Sequence, residues 1–522
     1  MRKITVAVLI SVALGAVGTA LFAGFTQHAP GGREITVALN AEPNNLDPAS
    51  APFAANLRVT HSIFDTLIAR DYQAELRDPE QGLTLRPGLA ETWRRLDDRT
   101  VELTLRRQVT FHDGRALTSA DVVFSLSKER IFGDDAIAVQ ARPYLGDIAL
   151  VEAVDAHTVR VTSARPNATL EYQLASPQAA IVPADAYARG VDAFKRHPIG
   201  TGPLRFKNWR EGERLEFEAN EAYFGGAPNF QRLTFRFVPE QSSRVAGLIS
   251  GEFDLIVQVT PDQLAVLRSY RDVHLATAPL QSTQEILFDT RHAAVANPAV
   301  RRALSLAIDR QAIVRTILHG QTSIPTSWQI PEMGPIYQRD RNALHYDAAR
   351  ARQLLREGGY NGEVVTLRFP AGYYPNGEAV VQAVANMWNA VGVTTRIAAT
   401  ETIGQITAGG SAASLIAFTY DMPMPEKAVC AYRGPSTWSA RWMPNMAVFY
   451  DGCRALPGLF QIDERRRLFA AMLDDIEAAM PSAPLYQQPQ AFAMRRTVRF
   501  QPYPHLVMDF RREAFAIGEA GQ

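Results

Sequence analysis

Short segments that alternate apolar and polar residues fill the first half of the chain, with turn residues between them. A period of two is typical of strands that have one buried face. This half is therefore predicted to carry a mixed sheet. The predicted strands cover residues 35–39, 100–105, 158–161, 215–217 and 233–238.

A helix is predicted over residues 117–124, soon after the second of these strands. Thr118 or Ser119 can act as its N-cap, and Asp121 in the first turn suits the positive end of the helix dipole. The strand and the helix are expected to form one structural unit.

The second half changes to a helical period near Asn297. Asn297-Pro298 provides an N-cap followed by proline at the first helical position, and Asp309 can cap the next helix, which is expected to stop at Gly320. Farther on, residues 364–369, an amphipathic helix and residues 393–397 predict a β-α-β unit. The second half is thus predicted to be an α/β lobe.

We find no internal repeat and no low-complexity linker between the two halves. They are therefore expected to be lobes of one body rather than independent domains. A cleft between two lobes is a natural binding site for a small molecule.

The first residues indicate export. Arg2 and Lys3 precede an uncharged apolar run over residues 4–25, the layout of a signal peptide. Residues 1–32 are predicted to be a signal peptide or, because the cleavage pattern is imperfect and the run could span a bilayer, an uncleaved anchor. No cysteine follows this run until Cys430, so a lipid-modified cysteine is not expected. The predicted location is the periplasm, with the protein either free or tethered to the inner membrane.

Composition narrows the possible partners. Lys plus Arg and Asp plus Glu both number 54, which gives no basic surface for nucleic acid.

In an oxidising compartment Cys430 and Cys453 could form a disulfide; two buried thiols, or a metal or catalytic role, are the alternatives.

Catalytic signatures are missing. The ten histidines are scattered, and we find no metalloprotease, serine hydrolase, phosphate-loop or dinucleotide motif. His112 beside Asp113 could be read as an acid-base pair, but Asp113-Gly114 after an alternating strand favours a hairpin turn. The protein is predicted not to be an enzyme, and no metal or cofactor is expected.

Several ordered segments together resemble family 5 of the bacterial extracytoplasmic solute-binding proteins, the receptors of peptide, nickel and opine ABC importers. The resemblance covers almost everything after Arg33. The matching segments are 40–48, PGLAETW at 87–93, 97–106, VTFHDG at 109–114, 117–122, HPIGTGPL at 197–204, NEAYFGGAP at 220–228, NPAVRRAL at 297–304 and AIDR at 307–310.

The resemblance implies a two-lobed α/β fold of the periplasmic-binding-protein (Venus-flytrap) type. The first lobe would span residues 33–284 with a strand-rich insertion at about 66–196, the second lobe 285–485, and residues 486–522 would return to the first lobe. A ligand in the cleft would favour closure of the lobes, and the closed form would dock on the permease of an ABC importer. A monomer is expected.

Peptides or peptide-like solutes are the predicted ligands. Opines, amino-sugar conjugates and nickel chelates are the alternatives within the family. A membrane-anchored sensor or chaperone, or an extracytoplasmic hydrolase, are the alternatives outside it.

The resemblance also indicates site residues. Phe418-Thr419-Tyr420-Asp421 is similar to the stretch whose aspartate pairs with the ligand's amino terminus in the dipeptide receptors, so Asp421 is the foremost candidate; a turn-capping role is the alternative. The arginine that holds the peptide carboxylate in those receptors is replaced by Ala371, which casts doubt on free dipeptides. Arg368 could substitute for it.

Aromatic residues cluster around these segments and could form the walls of an adaptable pocket. Loop residues Glu42 and Asn44 are further candidates, because the corresponding loop lines the cleft in relatives. The aromatic candidates are Tyr373, Tyr374, Phe418, Tyr420, Trp438 and Trp442.

Overall fold

A ten-stranded sheet extends through both halves of the chain in the computed structural model, which describes residues 34–50, 54–133, 136–146, 148–420, 425–435 and 437–518. The strands are β1 (Glu34–Leu39), β2 (Ile68–Arg70), β3 (Leu85–Pro87), β4 (Ala90–Arg95), β5 (Thr100–Leu105), β6 (Ile148–Asp155), β7 (Thr158–Ser163), β8 (Leu204–Arg210), β9 (Arg214–Ala219), β10 (Arg232–Phe237), β11 (Leu255–Val257), β12 (Val273–Phe288), β13 (Val365–Pro370), β14 (Thr395–Thr400), β15 (Ala413–Thr419), β16 (Ser482–Arg495), β17 (Val498–Phe500) and β18 (Phe515–Ile517).

Helices surround the sheets in both halves. They are α1 (Ala54–Thr60), α2 (Tyr72–Arg77), α3 (Ser119–Ser125), α4 (Arg142–Leu145), α5 (Leu170–Gln173), α6 (Ala184–Ala188), α7 (Val191–Arg196), α8 (Gln241–Ser250), α9 (Pro261–Leu267), α10 (Ala293–Ala296), α11 (Pro298–Leu306), α12 (Arg310–Thr316), α13 (Ala348–Glu357), α14 (Gly377–Ala390), α15 (Ile403–Thr407), α16 (Pro425–Arg433), α17 (Ala447–Ala455) and α18 (Ile462–Ala479). No helix within the described ranges, which begin at Glu34, is both long and apolar enough to cross a membrane.

The two longest strands join the lobes. In the sheet order β14-β13-β15-β12-β16-β11-β1-β10-β9-β8, the central strands β12 and β16 run antiparallel to each other. Leu275 near the start of β12 packs in the first lobe, whereas Ile286 near its end lies in the core of the second. Their pairing is irregular between Pro279 and Thr283, between the parts of β12 that pack in these two cores.

The first lobe contains the predicted mixed sheet. Strand β1 pairs in parallel with β10 and β11, and β9 pairs antiparallel with β8 and β10. The C-terminal residues return to this core, where Phe510 lies in contact with Phe235 at a ring-centroid distance of 5.6 Å. All five strands predicted in the first half are present, with ends shifted by up to two residues.

A strand-rich unit adjoins the first lobe. Its four antiparallel strands follow the order β4-β5-β7-β6. Along β5 every second residue, Val101, Leu103 and Leu105, is fully buried, which is the alternation seen in the sequence. Helix α3 follows, with Thr118, one of the two predicted candidates, as its N-cap; Thr118 and Asp121 of the first turn form a capping box.

The segment around His112 is a hairpin turn, not a catalytic pair. The backbone N–H of Gly114 donates to the Phe111 carbonyl at 2.9 Å, and Gly114 has a φ of +87°. The His112 ring instead holds a neighbouring loop, because its Nε2 lies 2.9 Å from the Gly202 carbonyl and its Nδ1 accepts from the Gly200 N–H at 3.2 Å.

Close backbone approach explains the glycines of that loop. A Cβ added at Gly200 would lie 2.0 Å from the carbonyl oxygen of Ile63, and one added at Gly202 would lie 2.6 Å from that of Ser62. Both positions therefore accept no side chain unless the backbone moves.

The second lobe has the predicted α/β organisation. Strands β13 and β14 pair in parallel and are joined by α14. Asn297 caps α11 by accepting from the Ala299 N–H at 2.9 Å, and Asp309 caps α12 by accepting from Ala312 at 2.8 Å. Helix α12 ends at Thr316 rather than continuing to Gly320; Gly320, at a φ of +72°, closes the turns that follow.

Candidate functional site

A cavity of about 610 Å³ lies between the lobes and has β12 and β16 as its floor. This volume is in the range of small-molecule pockets. We call it the interlobe cavity. Its walls are Asn40, Ala54, Arg58, Gln258–Pro261 and Leu264 from the first lobe, Leu318, Gln321, Gly372–Asn376, Ala417, Thr419 and Tyr432 from the second, and Thr277, Leu280, Gln284, Tyr486, Gln488–Ala491 and Leu506 between them.

The first-lobe wall is built by the ends of β1 and β11 and by α1 and α9. Asn40 directly follows β1, and its Oδ1 accepts a hydrogen bond of 3.0 Å from Arg58 of α1. Arg58 is only 2% exposed, so its guanidinium is held in one place by the helix and by this bond. Among the described residues that line the cavity, Arg58 is the one with a formal charge.

The second-lobe wall contains the loop between β13 and α14. Asn376 occupies the N-cap position of α14 in the left-handed conformation, at a φ of +57°. Tyr374 is anchored there because its hydroxyl accepts from the Ala417 N–H at 3.0 Å. Burial raises the pKa of this hydroxyl, so it stays protonated at neutral pH. Tyr373 packs edge-on against Tyr374 and remains 57% exposed.

Amide side chains form the polar part of the floor. Gln488 Nε2 donates to Gln284 Oε1 at 2.9 Å, and Gln490 Nε2 donates to the Tyr503 carbonyl at 3.1 Å. Gln284 Nε2 and Gln490 Oε1 are buried without hydrogen-bond partners in the described part of the chain. The floor is therefore uncharged and carries amide side chains, which can both donate and accept hydrogen bonds.

Two aromatic candidates lie in the core and not on the cavity wall. Phe418 and Tyr420 are both 0% exposed, which corrects the prediction that they contact ligand. The reason is the alternation along β15: Ala417 and Thr419 line the cavity, so Phe418 between them points to the opposite face. Asp421 lies outside the described residues.

The remaining aromatic and loop candidates are also placed elsewhere. Trp438 packs edge-on against Trp442, with ring centroids 5.0 Å apart, away from the cavity lining. Glu42 accepts from Trp209 Nε1 at 2.6 Å and from the Gly212 N–H at 3.0 Å, and thereby fastens the first loop to the β8–β9 hairpin.

Asn44 is solvent-exposed and does not line the cavity. Arg368 bonds to the Gly409 carbonyl at 3.1 Å and likewise does not reach the cavity, so it does not replace the arginine whose place Ala371 takes. Of the predicted contact residues in the described part of the chain, only Tyr373 and Tyr374 lie on the cavity wall.

Sequence reasoning missed Arg58 and the glutamines of the floor. Arg58 stands in a short, otherwise ordinary helix, and Gln284 and Gln488 stand in strands with no motif around them. Only the crossing of β12 and β16 brings these positions together, so no local signal in the sequence could have found them.

Helix α16, which borders the cavity through Tyr432, is fixed to the second lobe by a disulfide and by an ion pair. Cys430 is bonded to Cys453 of α17, with the Cα atoms 5.5 Å apart, which decides between the alternatives for these cysteines. Arg433 pairs with Glu285 of β12, and neither side chain is exposed.

The Arg433–Glu285 pair has further partners. Thr283 and Ser482 each donate a hydroxyl to Glu285 at 2.6 Å. Burial alone would lower the pKa of Arg433, but Glu285 and the Tyr420 hydroxyl outweigh burial and raise it. Arg433 is therefore charged at neutral pH, and its pairing with Glu285 holds α16 against the central strand.

Metal ligands are not gathered in the described part of the chain, where no group of three or more His, Cys, Asp or Glu side chains could hold an ion.

Comparison with known proteins assigns the chain to a family. The profile of the bacterial extracellular solute-binding proteins, family 5, middle region, matches residues 84–440. Because this match covers more than half of the 522 residues, the chain belongs to that family, as its motifs predicted. Its fold is the two-lobed α/β fold of periplasmic binding proteins.

Individual relatives bind different solutes. The glutathione-binding protein GsiB of Salmonella choleraesuis is 27% identical over 369 residues, which cover 70% of this chain and 69% of GsiB. Two solved structures share the fold. The Helicobacter pylori protein DppA, in complex with the peptide STSA, is 20% identical with a TM-score of 0.78 and covers 93% of this chain and 98% of its own. AgaA of A. tumefaciens R10, in complex with agropinic acid, is 23% identical with a TM-score of 0.77 and covers 93% and 99%.

Proposed function

We propose that this protein is the extracytoplasmic substrate-binding receptor of an ABC importer and captures a peptide or peptide-like solute in the interlobe cavity. The observation that carries the proposal is the cavity itself, because both lobes supply its walls and the two strands that join the lobes form its floor. A solute bound there contacts both lobes and so favours the closed state over the open one.

The crossings of β12 and β16 support the proposed lobe boundaries. The lobes would be residues 33–284, with the strand-rich insertion at about 66–196, and residues 285–485, with residues 486–522 returning to the first lobe. A hinge at two strand crossings allows the lobes to close as rigid bodies. The closed form would then dock on the permease as a monomer.

Asp421 is proposed to bind an ammonium group of the solute. In sequence it stands two positions after Thr419, which lines the cavity and follows the same alternation as Ala417. Tyr373 and Tyr374 would pack against apolar parts of the ligand, and the amides of Gln284 and Gln490 would bind its peptide groups. A carboxylate in a closed cavity attracts an ammonium strongly because little water screens the pair.

Binding rather than catalysis is proposed, since the relatives named above are binding proteins. The disulfide supports a location in an oxidising compartment such as the periplasm. Residues 1–32 would direct export, either as a cleaved signal peptide or as an uncleaved anchor. These residues lie outside the described part of the chain.

Thermal unfolding with a pool of di- to pentapeptides tests this function. A ligand that binds only the native state at 100 times its Kd stabilises it by about 2.7 kcal/mol, so the melting temperature of the wild-type protein should rise. Asp421→Ala should abolish most of this rise. Asp192→Ala is the matched control, because the Asp192 side chain is fully exposed on the first lobe, and this variant should respond like the wild type.

The same samples distinguish the alternatives. Mass spectrometry of the pool after incubation would show cleaved peptides if the protein were a hydrolase. If neither the pool nor solutes released from freshly purified, denatured protein shift the melting temperature, the receptor function is refuted.

A further inference from the structure

Arg58 differs from the other buried arginines in how its charge is satisfied. Most of them either pair with a carboxylate or bond to several backbone carbonyls. The paired ones are Arg130 with Asp47, Arg433 with Glu285, and Arg511 with Asp65 and Asp509; those bonded to carbonyls are Arg244, Arg301 and Arg310.

Among the described residues, the Arg58 guanidinium has one hydrogen bond, to the neutral side chain of Asn40. Its Nε has no partner among the described residues, and no carboxylate within the described ranges pairs with it. Removing a cation from water without a counterion is costly, and a fold keeps such a group where something else supplies the opposite charge.

The surroundings of Arg58 add positive charge. Burial and, to a smaller extent, the positive charge of the neighbouring Arg244 together lower the pKa of Arg58 to about 10. Arg58 is still protonated at neutral pH. Arg244 has the carboxylate of Glu240 as an electrostatic partner, whereas no acidic side chain among the described residues acts on Arg58, and the described cavity lining contains none.

We infer that Arg58 binds an anionic group of the captured solute, a carboxylate, from the first-lobe side of the interlobe cavity. This inference rests on the proposed receptor function and names the chemistry of its ligand. It also answers the question left by Ala371, because the carboxylate is held by the first lobe instead of by the loop before α14.

The consequence is that the ligand binds in one defined orientation. A carboxylate bound at Arg58 would fix one end of the solute at the first-lobe wall, so that the rest of the solute extends toward the second-lobe wall. Guanidinium and carboxylate form paired, charge-assisted hydrogen bonds, and the spare guanidinium donors of Arg58 suit such a contact.

Two matched pools test the inference by calorimetry or fluorescence titration: tripeptides with a free C-terminal carboxylate, and the same tripeptides as C-terminal amides. Wild-type protein should bind the free acids about 30-fold or more tightly than the amides. Arg58→Gln should lose this preference, binding both pools with about the affinity that the wild type has for amides. Arg315→Gln, which alters an exposed arginine of α12, should keep the wild-type preference.

The unliganded proteins provide a second readout. Because Arg58→Gln removes an unpaired buried charge, its melting temperature without ligand should equal or exceed that of the wild type, whereas loss of a merely structural contact would lower it. Equal acid-to-amide preference in Arg58→Gln and wild type would overturn the inference while leaving the receptor function intact. If the wild type binds neither pool, the inference is overturned, whereas the receptor function is refuted only if no solute in the thermal-unfolding test raises the melting temperature.

Discussion

Breaking the buried ion pair between Glu285 and Arg433 should unfold the second lobe at markedly lower denaturant. Glu285→Gln keeps the shape of the side chain but leaves a fully buried guanidinium without its counterion. Removing one partner of a buried pair costs about 3–5 kcal/mol. We expect the upper part of this range, because Glu285 also accepts hydroxyl bonds from Thr283 and Ser482, and these lose a charged acceptor.

Removing both charges should be far less harmful than removing one. In the double variant Glu285→Gln/Arg433→Met no charge remains buried, so its cost should be smaller than that of Glu285→Gln alone. Arg454→Met is the control for loss of an arginine ion pair, because Arg454 pairs with Asp451 on the surface and should change stability by less than about 1 kcal/mol.

The assay is urea unfolding followed by tryptophan fluorescence. Trp328 donates its Nε1 to Ser482 at 2.7 Å, one hydroxyl away from Glu285, and so senses this network directly. The double-variant cycle gives the coupling energy of the pair. If Glu285→Gln lowers stability by less than about 1 kcal/mol, or if the double variant is less stable than either single variant, the ion pair does not hold α16 against β12.

Further predictions concern the disulfide, the loop around Gly200 and the buried ring of His112. The bond between Cys430 and Cys453 joins residues 23 apart and should stabilise the fold by about 3 kcal/mol in the chain-entropy model. Reductant should therefore lower the melting temperature of the wild type but not that of a variant with both cysteines replaced by serine. Gly200→Ala should cost at least about 2 kcal/mol in urea unfolding, because the new methyl would meet the Ile63 carbonyl at 2.0 Å; near-wild-type stability would contradict this. Burial lowers the pKa of His112 to about 4 from an ordinary 6.5. The contribution of neutral His112 to the free energy of unfolding is therefore complete above pH 6.5 and is lost as the pH falls toward 4. The fall in melting temperature from pH 7 to pH 4 should accordingly be smaller in His112→Gln, and an unchanged fall would refute the assignment.

Local pattern was sufficient for much of the fold. The strands of the first half, the β-α-β unit and the capped helices after Asn297 and Asp309 depend on residues close together in sequence, whose periodicity and capping chemistry act within a few turns. The hairpin at Asp113-Gly114 is local in the same sense. The ordered motifs then identified the family, and with it the two-lobed arrangement.

The ligand-contacting surface was not determined in this way. Alternation along β15 shows that Phe418 and Thr419 face opposite sides, but only packing against the second-lobe core decides that Phe418 is buried and that Thr419 faces the cavity. Aromatic character alone does not distinguish a core ring from a pocket wall.

Arg58 shows most clearly the difference between what local sequence determines and what tertiary packing determines. In the sequence it is one arginine among many, and nothing near it predicts burial without a counterion. Its position at the cavity depends on the packing of α1 beside β1 and on strands β12 and β16, more than two hundred residues later, which form the floor. The sequence by itself thus determined the elements and the family, because these depend on short-range order. The tertiary structure decided which charges and amides meet in one cavity, because that depends on contacts between distant segments.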